Sequence, residues 1–257
     1  MENNIPAIYN YCDRWCEKCP FTGRCAVYRA EQSRTGDSKE ISNQAYWDNI
    51  SSNLKKSLDL LHKTAEKFGV DLNNISREEE DEIVRQEEKK RRTIREHKLI
   101  RLSRKYGLEV KALMDDVEFW STAASGLIAQ LNKRMNAGDP ASTESEKIGE
   151  YREIIGWYSF FISIKFSRAL DSKLDISDPE EADAVQDPEL LSRDENGTAK
   201  IALIAIDRSI GAWVGLLELI PDEDRILPLL AMLEKIKNLG KLEFPGAEKF
   251  VRPGFDS

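Results

Sequence analysis

The sequence predicts an all-α protein, an up-and-down helical bundle with additional N-terminal helices and a cysteine-rich N-terminal loop. Three observations carry this. Apolar residues recur at spacings of three and four through most of the chain, the period of an amphipathic helix. No run of useful length alternates apolar and polar residues as a half-buried strand does. Breakers such as Gly69, the run 136–140 and Pro221 fall between the periodic segments. With 257 residues, 40% of them hydrophobic, the chain has the length of one or two domains and enough apolar surface for a substantial core.

The elements follow in order. Residues 1–38 form a cysteine-rich segment, and residues 39–106 an amphipathic helix followed by a charged one. From Asn43 to Phe68 the residues Trp47, Ile50, Leu54, Leu58, Leu61, Ala65 and Phe68 share one helical face, and Gly69 stops the helix. Ser76 and Glu79 make a capping box that opens a segment acidic at Glu78–Glu82 and basic at Lys89–Lys105, an order that suits the helix dipole. Asp81 with Arg85, Glu87 with Arg91 and Glu88 with Arg92 are i,i+4 pairs. With few apolar interruptions, this helix is expected to lie in water.

Residues 107–257 make the bundle core and a C-terminal tail. After Gly107, Leu113, Val117, Trp120, Ala124, Leu127, Leu131 and Met135 draw one stripe that ends at Asn136–Pro140. A third long helix begins near Ser142 or Thr143, with Ile148, Tyr151, Ile155, Tyr158, Ile162 and Phe166 on one side. The acidic stretch from Ser172 to Asn196 is expected to be a long polar connection. Thr198–Ile220 is apolar nearly all round and rich in Ala and Gly, which places it at the centre of the bundle. A last helix is expected over about Asp222–Leu239, with Gly240 as its C-cap and a break or kink at Pro228.

Composition narrows the function classes. A net charge of −8 argues against a general polyanion binder. The start, MENNIPAIYNYC, has no basic region followed by an apolar run, so a reducing, cytoplasmic setting is expected. The most apolar stretch, IALIAIDRSIGAWVGLLELI, carries Asp207 and Arg208 at its middle and is no membrane span.

All four cysteines, Cys12, Cys16, Cys19 and Cys25, lie within YCDRWCEKCPFTGRC. A loop this tight can turn several thiolates toward one centre, as four-coordinate iron or zinc requires. The spacing C-x3-C-x2-C-x5-C with Pro20 after Cys19 favours a [4Fe–4S] cluster; zinc is the alternative, although its sites more often pair two C-x2-C units, and disulfides or unligated thiols complete the possibilities. The first three spacings, Cys12-x3-Cys16-x2-Cys19, resemble the cluster motif of radical S-adenosylmethionine enzymes. That resemblance implies a mostly parallel α/β barrel, and the chain lacks the strands for one. Tyr9, Tyr11, Trp15, Phe21 and Tyr28 surround the cysteines and are expected mainly to dock the loop. Arg14, Lys18, Arg24 and Arg29 lie between them and can offset thiolate charge.

Three further constellations compete with the cysteines. Glu118, Glu153, Lys165, Arg168, Asp207 and Arg208 interrupt apolar helices; an internal salt-bridge network, such as Asp207 or Glu118 with Arg168, is expected ahead of an enzymatic pocket framed by Trp120, Trp157 and Trp213. A carboxylate-bridged di-iron site needs Glu-x-x-His on two helices, and the nearest approach is Asp59-x-x-His62. Arg91, Arg95, Lys98, Arg101 and Lys105 share a helical face that is able to contact a protein partner or nucleic-acid phosphates. The leading expectation is a metal-centre protein with a redox or sensing role. A zinc-stabilised binding module and an enzyme with a Trp-framed pocket are the alternatives.

Overall fold

The computed structural model describes residues 3–32, 42, 44–69, 76–121, 142–177 and 188–256, and among these every regular element is helical. Two compact units divide the chain: Met1–Lys89 with Pro253–Phe255, and Lys90–Arg252 with the residues after Phe255.

The first unit opens with three short 3-10 turns, Ile8–Asn10, Cys16–Lys18 and Thr22–Arg24, followed by α1 (Ala26–Gln32) and α2 (Gln44–Phe68). Gly69 ends α2 with φ +70°, the left-handed conformation that a residue without a Cβ adopts at no steric cost. The stripe read from the sequence lies on α2, but it faces outward: Trp47, Leu54, Leu61 and Phe68 are at least half exposed, and only Ala65 is buried. The helix α3 (Arg77–Glu96) begins at the capping box. The Ser76 N–H donates to Glu79 Oε2 at 2.8 Å and the Glu79 N–H returns to Ser76 Oγ at 3.2 Å. These bonds, the backbone one foremost, hold the Glu79 carboxyl below its ordinary range. Arg85 pairs with Glu82 rather than Asp81, and Arg92 with Glu96 rather than Glu88, each at 2.9 Å.

The second unit corrects the expected charged helix. It breaks at His97, whose Nδ1 accepts the Leu99 N–H at 3.3 Å and so caps α4 (Lys98–Asp115). Helix α4 buries Leu99, Ile100, Ser103, Tyr106, Gly107, Val110 and Leu113, so half of the basic run belongs to a core helix and not to one standing in water. Gly107 lies within α4: a Cβ there would sit 2.9 Å from the Phe160 ring, and the missing side chain lets α4 approach its neighbour closely. The stripe expected to continue from Leu113 is interrupted at Asp116, whose carboxylate accepts the Phe119 N–H at 2.9 Å and starts a new turn over residues 117–121. Val117 is 80% exposed as a result. Ala124, Leu127, Leu131, Met135 and the breakers at 136–140 lie outside the described residues.

Three long helices complete this unit: α5 (Ser142–Ser177), α6 (Pro188–Leu219) and α7 (Glu223–Glu243). Much of the expected polar connection is helical, because its polar residues join α5 to α6. Arg168 Nη2 donates to Asp194 Oδ1 and the Ser172 hydroxyl to Asp194 Oδ2, each at 3.1 Å. Helix α7 runs through Pro228 without a break, and the missing Pro228 N–H leaves the Asp224 carbonyl without its intrahelical donor. Gly240 lies inside α7 rather than capping it, since a Cβ would stand 2.6 Å from the Phe166 ring. Helix α5 packs along α6, α4 against α5 and α7, and α6 against α7. This closed ring encloses Tyr106, Ile155, Ile162, Phe166, Ile206, Trp213 and Leu233, all fully buried. Among the described residues no helix is long and apolar enough to cross a membrane.

Candidate metal centre

The knuckle is built by local hydrogen bonds that the sequence supplies. Cys16 opens the second 3-10 turn and Cys19 closes it, the Cys19 N–H donating to the Cys16 carbonyl at 3.2 Å. Cys25 closes the third turn in the same way onto the Thr22 carbonyl at 3.2 Å, and its own carbonyl accepts the Arg29 N–H of α1 at 3.1 Å. Cys12 follows the first turn, with its thiol directed at the Tyr9 carbonyl 3.6 Å away. Between them Arg14 holds φ +60°, a left-handed conformation uncommon for a residue with a side chain. The Ile5 N–H donates to the Arg24 carbonyl at 3.0 Å and ties the preceding segment to the knuckle.

These turns bring all four cysteines to the wall of one small cavity, part of it open to solvent. Each cysteine is partly buried and none is in a disulfide. The remaining wall is mostly apolar: Ile8, Tyr9, Trp15, Phe21, Tyr28 and Phe255, with Arg14 and Asp13 at the polar edge. The thiol of Cys16 is pushed above its ordinary 9.0, first by burial and then by the negative charge that Cys12, Glu31, Cys19 and Cys25 would carry when ionised. All three other thiols therefore act on Cys16 electrostatically. Among the described residues no three or more His, Cys, Asp or Glu side chains are placed so as to hold a metal ion. Four sulfurs around one zinc would each stand about 2.3 Å from it, and these four share a cavity without closing to such a shell.

Compared with known protein families, curated proteins and solved structures, the chain matches none.

The surrounding residues divide into cover and charge. Trp15 is buried, and the Lys18 ammonium stands 4.7 Å from its ring centroid. Arg24 donates to the Asn3 carbonyl at 3.2 Å and Arg29 to Asn4 Oδ1 at 3.0 Å, so both cations tie down the chain ahead of the knuckle. Tyr11 is buried but does not line the cavity. The apolar wall residues that sequence reasoning missed are Ile8 and Phe255. Nothing local marks Phe255, beyond an aromatic placed after Pro253 and Gly254.

The other constellations are dispersed. Glu118 and Glu153 are exposed, Arg168 pairs with Asp194 rather than with Asp207 or Glu118, and Asp207 pairs with Lys237 at 2.6 Å. Arg208 reaches the Tyr158 hydroxyl, and the buried Lys165 stands 5.2 Å from the centroid of the Phe161 ring. The three tryptophans have separate tasks. Trp213 is fully buried, Trp120 donates its indole N–H to the Leu113 carbonyl at 2.9 Å, and Trp157 is 39% exposed. His62 lies exposed on α2, whereas His97 Nε2 faces the Glu243 carboxylate at 3.5 Å. Arg95, Lys98 and Arg101 are exposed without an ion partner among the described residues; Arg91 is exposed beside them.

The Asp207–Lys237 pair gives a direct test of the pocket idea. Its hydrogen bond makes Lys237 hold its proton more tightly than usual, yet the Asp207 side chain is 56% exposed, and water screens the pair. Asp207→Ala is therefore expected to cost about 1 kcal/mol or less and to leave the circular dichroism unchanged. A loss above about 3 kcal/mol in urea unfolding would place Asp207 in a buried network instead.

Proposed function

We propose that the knuckle holds a metal centre, a [4Fe–4S] cluster bound by Cys12, Cys16, Cys19 and Cys25, with a redox or sensing role. One observation carries the reading: four thiols from three successive turns line one mostly apolar cavity. A cluster suits that arrangement better than zinc, because each cysteine holds a different iron and the four sulfurs stand farther apart than around a single ion. Ionising four neighbouring thiols in an apolar cavity is costly until a positive centre binds them, and Arg14 on the cavity wall is the cation placed to offset remaining negative charge. When bound, such a centre supplies one-electron chemistry. The chain's residues supply the four ligands, the apolar cover and the nearby cations.

Purified under strict exclusion of air, the protein is expected to be brown and to contain about four irons and four labile sulfides per chain. Colourless protein without iron or sulfide overturns the proposal, and so does one equivalent of zinc with no iron. A role in contacting an acidic partner through Arg95, Lys98 and Arg101, beside Arg91, has separate support in the exposure of those cations.

A further inference from the structure

One wall of the cysteine cavity comes from residues more than two hundred positions away. Phe255 lines it, and its ring meets that of Phe21 edge to face, with centroids 5.0 Å apart and planes at 80°. The residue before it is held as tightly. Gly254 has φ +77°, and a Cβ there would come within 2.8 Å of Ile5 Cδ1 and 3.2 Å of Ile8 Cδ1. Position 254 thus needs glycine twice over, for its backbone conformation and for its contact. Ile8 lines the cavity, and Ile5 is bonded to the knuckle through the Arg24 carbonyl. Pro253–Phe255 accordingly belongs to the same compact unit as the cysteines.

The apolar shell around a thiolate site controls how fast water and dissolved oxidants reach it. Its other apolar walls arise within the knuckle or just beside it in sequence, Ile8 and Tyr9 ahead of it and Tyr28 on α1 after it. We propose that Pro253–Phe255 is an integral wall of the site, and that Phe255 sets the access of solvent species to the four sulfurs. The consequence for a cluster rests on the metal-centre reading, whereas the shielding of the thiols rests on the cavity alone.

The test uses the full chain carrying Phe255→Ala, with Phe255→Leu as the conservative control and Gly254→Val as an independent way to lift the segment. Anaerobically purified F255A should contain as much iron and sulfide as the parent protein, yet bleach several-fold faster in air, with F255L near the parent rate. In metal-free protein, iodoacetamide should alkylate the four cysteines several-fold faster in F255A and G254V, while circular dichroism and melting temperature show each variant folded. Unchanged alkylation and bleaching in both folded variants overturns the proposal. If no preparation holds iron, the metal reading fails by itself, and the alkylation rates still decide whether Phe255 shields the thiols.

Discussion

Cys16→Ser is expected to strip the centre from the protein, lowering iron and sulfide content roughly tenfold or more under anaerobic purification. Loss of outer-shell partners alone commonly costs about 10–100-fold in metal affinity, and Cys16 is a proposed ligand. Its thiol is raised by burial and then by Cys12, Glu31, Cys19 and Cys25, so it sits among the other three candidate ligands. The sign of the pH dependence follows. In the metal-free protein the folded thiol holds its proton above the ordinary 9.0. As the pH rises past that value the unfolded chain ionises first, so the knuckle is stable below it and loosens in alkali. Metal reverses the order, because ligation requires thiolates and releases protons, and loading should rise with pH until hydroxide competes. The helices α4 to α7 contain no cysteine, so C16S should keep its far-ultraviolet circular dichroism. Full iron and sulfide content in C16S would remove Cys16 from the ligand set.

The clustering of the four cysteines on one cavity was legible because its geometry is local. Four cysteines within fourteen residues leave few ways for the chain to avoid bringing them together, and Pro20 and Gly23 mark the turns. Phe255 was not legible, since its place depends on a contact across the length of the chain. The core helices show the same division. The central part of helix α6 could be placed because Ala199, Ala202, Ala205 and Ala212 help leave it apolar nearly all round, Asp207 and Arg208 being exposed exceptions. Helix α4 was misread because its charges obscured Leu99, Ile100, Ser103, Tyr106 and Val110, which keep helical spacing through the basic run. Gly240 reads as a helix end in the sequence, but its place, like that of Gly107, is filled from outside, by the Phe166 and Phe160 rings respectively. Only the packed structure separates a glycine that stops a helix from one that admits a neighbour. The polar run around Asp194 likewise reads as a connection, because its partners Arg168 and Ser172 lie on another helix.

Trp213→Ala should be the most destabilising single change in the helical core. Trp213 is the largest of its fully buried side chains, and its indole N–H donates to the Tyr106 hydroxyl at 2.9 Å. Tyr106 is itself fully buried, and its hydroxyl is held well above the usual phenol range by burial, with Trp213 and Ser209 as hydrogen-bonding partners. Truncation to alanine removes a large apolar surface, opens a cavity between α4 and α6 and takes a partner from Tyr106. The first two effects cost about 3–5 kcal/mol, and the weakened hydroxyl adds up to about 1–3 kcal/mol. At roughly 2–4 °C per kcal/mol for a domain of this size, the melting temperature should fall by at least about 6 °C. Trp213→Phe keeps most of the ring and loses the donor, so it should cost less; Tyr106→Phe isolates the hydrogen bond and should cost about 1–3 kcal/mol by leaving the indole N–H buried and unpaired. The double variant W213F/Y106F should cost less than the sum of the two single changes, because neither side then holds an unpaired group. Urea unfolding of the four proteins decides it: strict additivity, or a neutral Tyr106→Phe, would show that burial alone fixes Trp213 and that the hydrogen bond between α4 and α6 contributes nothing to the packing.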